Sequence, residues 1–486
     1  MTSLSTSAND TATVTRPERR HAIVMGASMA GLLAGRVLLN HFERVTIIER
    51  DRVAWRKPYR LSDTSEPRPG VPQATHVHVL LTRGQQILEQ LFPGFIAELV
   101  EAGAAKVNWT AECPVYSVRG WHPRFFSDVV TYTCSRCFLE LKIRQRLQQF
   151  DRLQFIDQSS VSQLITNADN SEITGVKIRH LKIKQTEELT SQLIVDATGR
   201  NSNTPKWLTQ LGYQPPEESV INAFLGYGSR WYQQPDDLKV DWKALLVENL
   251  APNQGRGAVL YPVEGNRWIV TLSGLGRDYP PTDEAEFLEF ARSLRHPIIY
   301  DVIKNAQPLS PIYPYRRTEN RLYHYQKLTR LPQGLVMVGD AVCAFNPIYG
   351  QGMTTAALGA LTLDHCLQSQ QPLKKLTPIF QKKLFKVIQN PWLMATGEDI
   401  RWPATEGGKT DWTTQLNQGY FNQMMLIMKD NPDLYQTFTE VVHMLQPPTA
   451  FFHPKYLLKV LASLLNNPAE ETQETLSHSE IPQLSS

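Results

Sequence analysis

Residues 334–367 read GLVMVGDAVCAFNPIYGQGMTTAALGALTLDHCL. An apolar run ends on Gly339-Asp340, a turn containing Pro347 follows, and Gly350-Gln351-Gly352-Met353 opens a second apolar segment. The first piece has the texture of a buried strand, and the second places Ala357, Leu358, Leu361 and Leu363 at helical spacing. Asp340 then stands at the carboxyl end of a strand, where open α/β sheets bind ligands. The helix that follows presents unpaired N–H groups and partial positive charge, with little side-chain bulk around them. A carboxylate for a sugar-like hydroxyl, a dipole for an anionic ring edge and room for a flat ring suit a flavin better than a nicotinamide.

A second strand–turn–helix lies near the start, in HAIVMGASMAGLLAGRVLLNHFERVTIIERD, residues 21–51. Here a buried-strand run meets Gly26-Ala-Ser28-Met-Ala-Gly31, a helical segment follows, and a further strand ends on Glu49. Gly26 allows the tight turn, Gly31 allows close helix–strand packing, and the helix N-terminus faces a pyrophosphate. Ser28 stands where the middle glycine is usual. Glu49 follows Gly26 by 49 − 26 = 23 residues, a spacing that suits an acceptor for adenosine ribose hydroxyls. A third piece, LIVDATGRNSNTPKWL at 193–208, again runs from a strand into an acid, Asp196, and a glycine turn. RLQFI, VSQLI and ITGVKIRHLKIK before it read as a β-meander capping the nucleotide domain.

Taken in order, these three motifs resemble the single-component FAD-dependent monooxygenase superfamily, with the fold of p-hydroxybenzoate hydroxylase and squalene epoxidase, over roughly residues 21–370. EPRPGVPQATHVHVLLTRGQQILEQLFPGF and TCSRCFLELKIRQRL look similar to the bacterial polyether-epoxidase-like members. The resemblance implies non-covalent FAD lined by Gly26, Ser28, Gly31, Glu49, Arg136, Asp196, Asp340, Gly350, Gln351, Gly352 and Met353. It implies O2 activation through a flavin C4a-hydroperoxide that epoxidises or hydroxylates a lipophilic polyketide, isoprenoid or aromatic substrate. DATGR replaces the Asp-Gly turn of the aromatic hydroxylases and sits closer to halogenases and geranylgeranyl reductases. Electrons therefore come from transient NAD(P)H or from a flavin reductase partner. A prenyl double-bond reductase, a halogenase and a non-enzymatic relative are the alternatives; a halogenase would carry a WxWxIP signature, which this sequence lacks.

The expected class is α/β: a Rossmann-like FAD-binding domain (21–110, 130–205, 325–371) interleaved with a β-sheet substrate domain (111–129, 206–324) and followed by a helical region (372–468). Residues 1–20 and 469–486 read as disordered tails. A net charge of +3 without a basic stripe gives no footprint for nucleic acid. Five scattered cysteines fit a reducing, cytoplasmic setting, and Cys134-Ser-Arg-Cys137 reads as ordinary buried thiols rather than a metal site. No apolar run is long enough to span a bilayer.

Phe224, Tyr227, Trp231, Tyr261 and Trp268 read chiefly as core with a share in an apolar pocket. His76 and His78 alternate, as if on one face of an extended segment. FFHPKYLLKVLASLLNN at 451–467 reads as packing on the FAD domain, with peripheral membrane contact as the second reading. No general base stands out in the substrate domain, and no catalytic residue is named.

Overall fold

The computed structural model describes residues 19–53, 67–369, 371–409, 411–466 and 480–484. Its first layer is a five-stranded parallel sheet in the order Leu335–Met337, Leu193–Asp196, His21–Met25, Arg44–Ile48, Leu153–Ile156. These strands are apolar because the sheet is buried, with helix Met29–Leu38 and the antiparallel strands Ser159–Thr166 and Ile173–His180 packed against it. His21–Met25 is buried along its whole length at the centre. Four strand ends therefore meet at one edge: Gly26, Glu49, Asp196 and the Gly339-Asp340 turn. The helices Met29–Leu38 and Gly352–Gln368 pack on each other behind that edge.

RLQFI departs from the meander reading. Leu153–Ile156 pairs parallel to Arg44–Ile48 and completes the nucleotide sheet, leaving a three-stranded antiparallel meander of Ser159–Thr166, Ile173–His180 and Thr186–Thr190. A seven-stranded sheet built from Tyr313–Tyr315, Gly226–Gln233, Arg267–Gly274, Arg256–Val263, Leu245–Val247, Val115–Ser117 and Gly120–Trp121 forms the second body. Its long antiparallel pairs bury Trp231 and Trp268 as core, not pocket.

The C-terminal region begins with Leu376–Asp399, which packs on Gly352–Gln368 and carries Pro391 internally. Trp412–Met428, Pro432–Val442 and Pro454–Asn466 follow and share a small core of Met424, Leu434, Tyr435, Phe451, Tyr456 and Val460. Residues 451–466 thus pack on neighbouring C-terminal helices instead of the parallel sheet. They leave Leu458, Leu461 and Leu465 at 67%, 56% and 86% exposure. Among the described residues, no helix is long and apolar enough to cross a membrane.

The expectations for 1–18, 467–479 and 485–486 lie outside the described residues. Within the two tails read as disordered, Arg19 and Arg20 accept backbone bonds from Glu43 and Arg44. Residues 480–484 also take a defined course: Ile481 packs against the core under the seven-stranded sheet, and Pro482 accepts a 3.0 Å bond from Arg124.

Candidate cofactor and substrate site

The first turn is held by its own geometry. Gly26 has φ +99°, and a Cβ there would lie 2.5 Å from the Ala197 carbonyl oxygen; a Cβ on Gly31 would lie 1.9 Å from the Gly26 carbonyl oxygen. Ser28 occupies the helix N-cap in extended conformation without capping the helix. Its hydroxyl instead accepts a 2.8 Å bond from Arg136 Nη2. The serine in place of glycine is thereby tied to the arginine at the start of Arg136–Leu147. No acid occupies the first turn of Met29–Leu38, so its N–H groups face the cavity unopposed.

Arg136 is 4% exposed and belongs to a buried charge network that the sequence reading missed. Glu140 pairs with Arg136 at 2.9 Å, Arg144 at 2.5 Å and Arg68 at 3.0 Å. Burial pushes the Glu140 carboxyl up, but the three guanidiniums outweigh it and hold its pKa at about 2. Arg68 also contacts Glu49 and Asp51, both at 3.0 Å. Arg136 Nη1 finds no partner among the described residues and is buried at the cavity wall. The i, i+4 spacing of Arg136, Glu140 and Arg144 was the available signal; the long-range partner Arg68 gave none.

Glu49 is 5% exposed and braces the turn. Its carboxylate accepts from Ala27 N at 2.8 Å and Asp51 N at 3.0 Å in addition to the Arg68 pair. About one of its four acceptor positions is left for a ribose. Asp196 departs further from the ligand-facing reading. It is fully buried, and the Thr198 N–H and the hydroxyls of Thr198, Ser202 and Thr204 fill its acceptor positions at 2.5–2.9 Å. It shapes the turn, and Ala197 to Asn201 reach the cavity in its place.

Asp340 does open onto the cavity, with 40% of its side chain exposed there. The surrounding shell raises its pKa by burial, against the pull of Arg200 and Arg136. Arg200 stands 3.9 Å from it, fixed by the carbonyls of Glu319 and Phe345. Gly350, Gln351, Gly352 and Met353 all line the same cavity. A Cβ on Gly352 would meet no protein atom within 4 Å. Gln351 is 4% exposed, and its Oε1 has no partner among the described residues.

Behind this turn, Asp399 accepts bonds from the Tyr349 hydroxyl at 2.6 Å, Asn320 Nδ2 at 2.7 Å and Asn346 Nδ2 at 3.1 Å. Burial lifts its pKa to about 6 despite these donors. A helix of the C-terminal region thus anchors the turn in front of Gly350.

The cavity measures about 1270 Å³, above the about 300–1,000 Å³ of single-ligand sites. It continues from the nucleotide turn beneath the seven-stranded sheet and ends against Met394, Phe421, Met425 and Phe438 of the helical region. Tyr227 and Tyr261 line it, whereas Phe224 stacks under Arg277. The two histidines do not share a face. His76 packs between Tyr227 and Tyr315 with Nδ1 2.6 Å from Ser229 Oγ, while His78 reaches the cavity. Burial lowers both, to about 3 and about 4. Cys134 and Cys137 are free, and burial raises both thiols.

One acid beside the seven-stranded sheet was missed altogether. Glu248 faces the cavity, accepts a 2.5 Å bond from Ser117 Oγ, and is raised by burial. It sits one residue beyond a three-residue strand, too short to reveal which way its side chain turns.

A nucleotide cofactor can be tested against these groups. The unpartnered Arg136 Nη1, the open helix N-termini and the space beside Gly352 suit an anionic nucleotide with a flat ring. No family model matches the chain. It is 31% identical over 395 residues to protein Rv3254 of Mycobacterium tuberculosis (strain ATCC 25618 / H37Rv), covering 78% of this chain and 80% of that protein. Among solved structures it resembles the flavin-dependent brominase Bmp2, with TM-score 0.63 and 13% identity over 92% of this chain and 98% of that one. It also resembles PqsL, a probable FAD-dependent monooxygenase from Pseudomonas aeruginosa, with TM-score 0.58 and 16% identity over 78% and 96%. The fold is that of the FAD-dependent monooxygenase superfamily, and the chain belongs to the same family as protein Rv3254.

Proposed function

We propose that the chain is an FAD-dependent monooxygenase that epoxidises or hydroxylates a lipophilic substrate. The observation that carries this reading is the single cavity running from Ser28 and Arg136, past Asp340 and Gly352, into an apolar chamber walled by the substrate sheet and the C-terminal helices. When bound, FAD supplies the activation of O2, with electrons from NAD(P)H or from a flavin reductase partner. Arg136 and the N–H groups opening Met29–Leu38 hold its pyrophosphate. Asp340 accepts a ribityl hydroxyl, and the turn at Gly350–Met353 supports the ring. Aromatic and methionine side chains of the helical region exclude water from the chamber. Glu248, raised by burial, can keep or accept a proton at its carboxyl beside the substrate.

Arg136→Met is expected to weaken FAD binding about 10–100-fold, as loss of a charge-assisted bond does. Glu140 keeps Arg68 and Arg144, so the thermal midpoint should fall little, and flavin fluorescence titration measures the affinity. Turnover of a lipid and phenol panel with NAD(P)H, run with and without O2, tests the reaction. Label from 18O2 in the product is expected. Turnover that persists without O2 would instead indicate a double-bond reductase, and bromide-dependent product a halogenase.

A further inference from the structure

The chamber has one polar end of which the reading above uses only Glu248. His122 is 3% exposed and lines the cavity, yet neither of its ring nitrogens has a hydrogen-bond partner among the described residues. Its ring stacks on Tyr435 at 4.4 Å, and its backbone N–H is fixed to the Val115 carbonyl at 3.0 Å. Arg295 lines the same cavity with its Nη1 buried and without a partner among the described residues, while Nη2 donates to the Val118 carbonyl at 3.2 Å. Glu248 completes the group through its 2.5 Å bond from Ser117. Val115–Ser117 pairs with Leu245–Val247 on one side and Gly120–Trp121 on the other, which brings Glu248 and His122 to one wall, and Arg295, just beyond helix Glu284–Arg292, lies close enough to Glu248 to act on its charge.

Leaving buried nitrogens unpaired costs about 1–3 kcal/mol each, so such groups call for a partner, an ordered water or a polar group of a ligand. A neutral imidazole offers one donor and one acceptor, Arg295 adds a donor, and Glu248 adds an acceptor. Arg295 and Glu248 balance each other, and Glu398 lies close enough to Glu248 to raise it further. A carboxylate ligand would meet these acids, and a hydrocarbon would leave every polar group unmet. Only an uncharged group that both donates and accepts satisfies the set.

We propose that His122, Arg295 and Glu248 form a specificity pocket for a hydroxyl group carried by the apolar substrate. This rests on the reading of the chamber as the substrate site and not on the identity of the cofactor.

The test is calorimetric titration of the full chain, with and without added FAD, using four probes: 2-naphthalenemethanol, its methyl ether, 2-methylnaphthalene and 2-naphthoate. The alcohol is expected to bind about tenfold tighter than the other three, the difference a net 1.4 kcal/mol makes. His122→Phe and, independently, Arg295→Met are expected to remove that preference while 2-methylnaphthalene binds as before. Equal binding of the four probes, tighter naphthoate, no binding of any probe, or a preference that survives both variants would overturn the assignment. Absence of flavin uptake would sink the cofactor reading alone, because the heats are read without it.

Discussion

Replacing Gly31 by alanine is expected to yield a chain that takes up no FAD and loses about 3 kcal/mol of stability, the upper end of ordinary overpacking. The new Cβ would stand 1.9 Å from the Gly26 carbonyl oxygen and 2.9 Å from its carbon. Both atoms belong to the backbone of the phosphate turn, which is itself pinned by Gly26 N to Ile48 O at 2.8 Å and by the Glu49 bond to Ala27 N. Nothing in that arrangement can rotate away; the turn must open. Gly35→Ala, one helical turn further on, is the control. Its Cβ would meet the end of the Ile47 side chain at 2.7 Å, an atom that a rotamer change can move. That variant should keep its flavin and lose about 1 kcal/mol. Urea midpoints and the flavin absorbance of the two purified variants separate the outcomes.

Asp399 carries the second large effect, and it depends on pH. Its carboxyl is raised from 3.8 to about 6 in the folded chain. The folded state therefore binds more protons than the unfolded state between those values. Stability contributed here is full below about pH 4 and is lost as pH rises through about 6. A shift of about two units corresponds to about 3 kcal/mol. Asp399→Asn has no such titration, so the stability gap between wild type and this variant should shrink by up to about 3 kcal/mol from pH 4 to pH 7. Acids common to both proteins cancel in that difference. Asp399→Ala leaves the Tyr349, Asn320 and Asn346 donors unmet and should cost about 3 kcal/mol or more at any pH. The turn before Gly350 then loses its anchor, and FAD affinity should fall with it. Chemical denaturation across pH, paired with FAD titration, measures both. A gap that does not change with pH would count against the raised carboxyl.

How much was legible in the sequence follows from where the information lies. The strand–glycine–helix turns at Gly26 and Gly339 were readable because each depends on a run of neighbours: apolar strand, small turn residues, apolar helix. Leu153–Ile156 was misplaced because a four-residue strand has no period long enough to name its partner. Asp196 and Asp340 looked alike as strand-end acids. What separates them is the trio Thr198, Ser202 and Thr204, whose hydroxyls fold back on the first and have no counterpart beside the second. Arg136 entered through a family likeness; Glu140 lies on its own helix at i, i+4, but Ser28, which Arg136 bonds, and Arg68, which shares Glu140 with it, come from distant segments that only the fold brings together. His122, Glu248, Arg295 and Asp399 were invisible for the same reason. Each acquires its role from burial and from a neighbour distant in the chain.

The account stands on four strand ends of one parallel sheet, three glycine turns and the brace at Glu49, forming a seat for a single FAD. Titration of flavin-free protein with FAD, followed by flavin fluorescence on material shown to be folded by its cooperative unfolding, tests this most directly. The expected result is saturable uptake of a single equivalent, weakened by Arg136→Met and abolished by Gly31→Ala. Folded protein that stays colourless and binds no FAD at any concentration tried would contradict it.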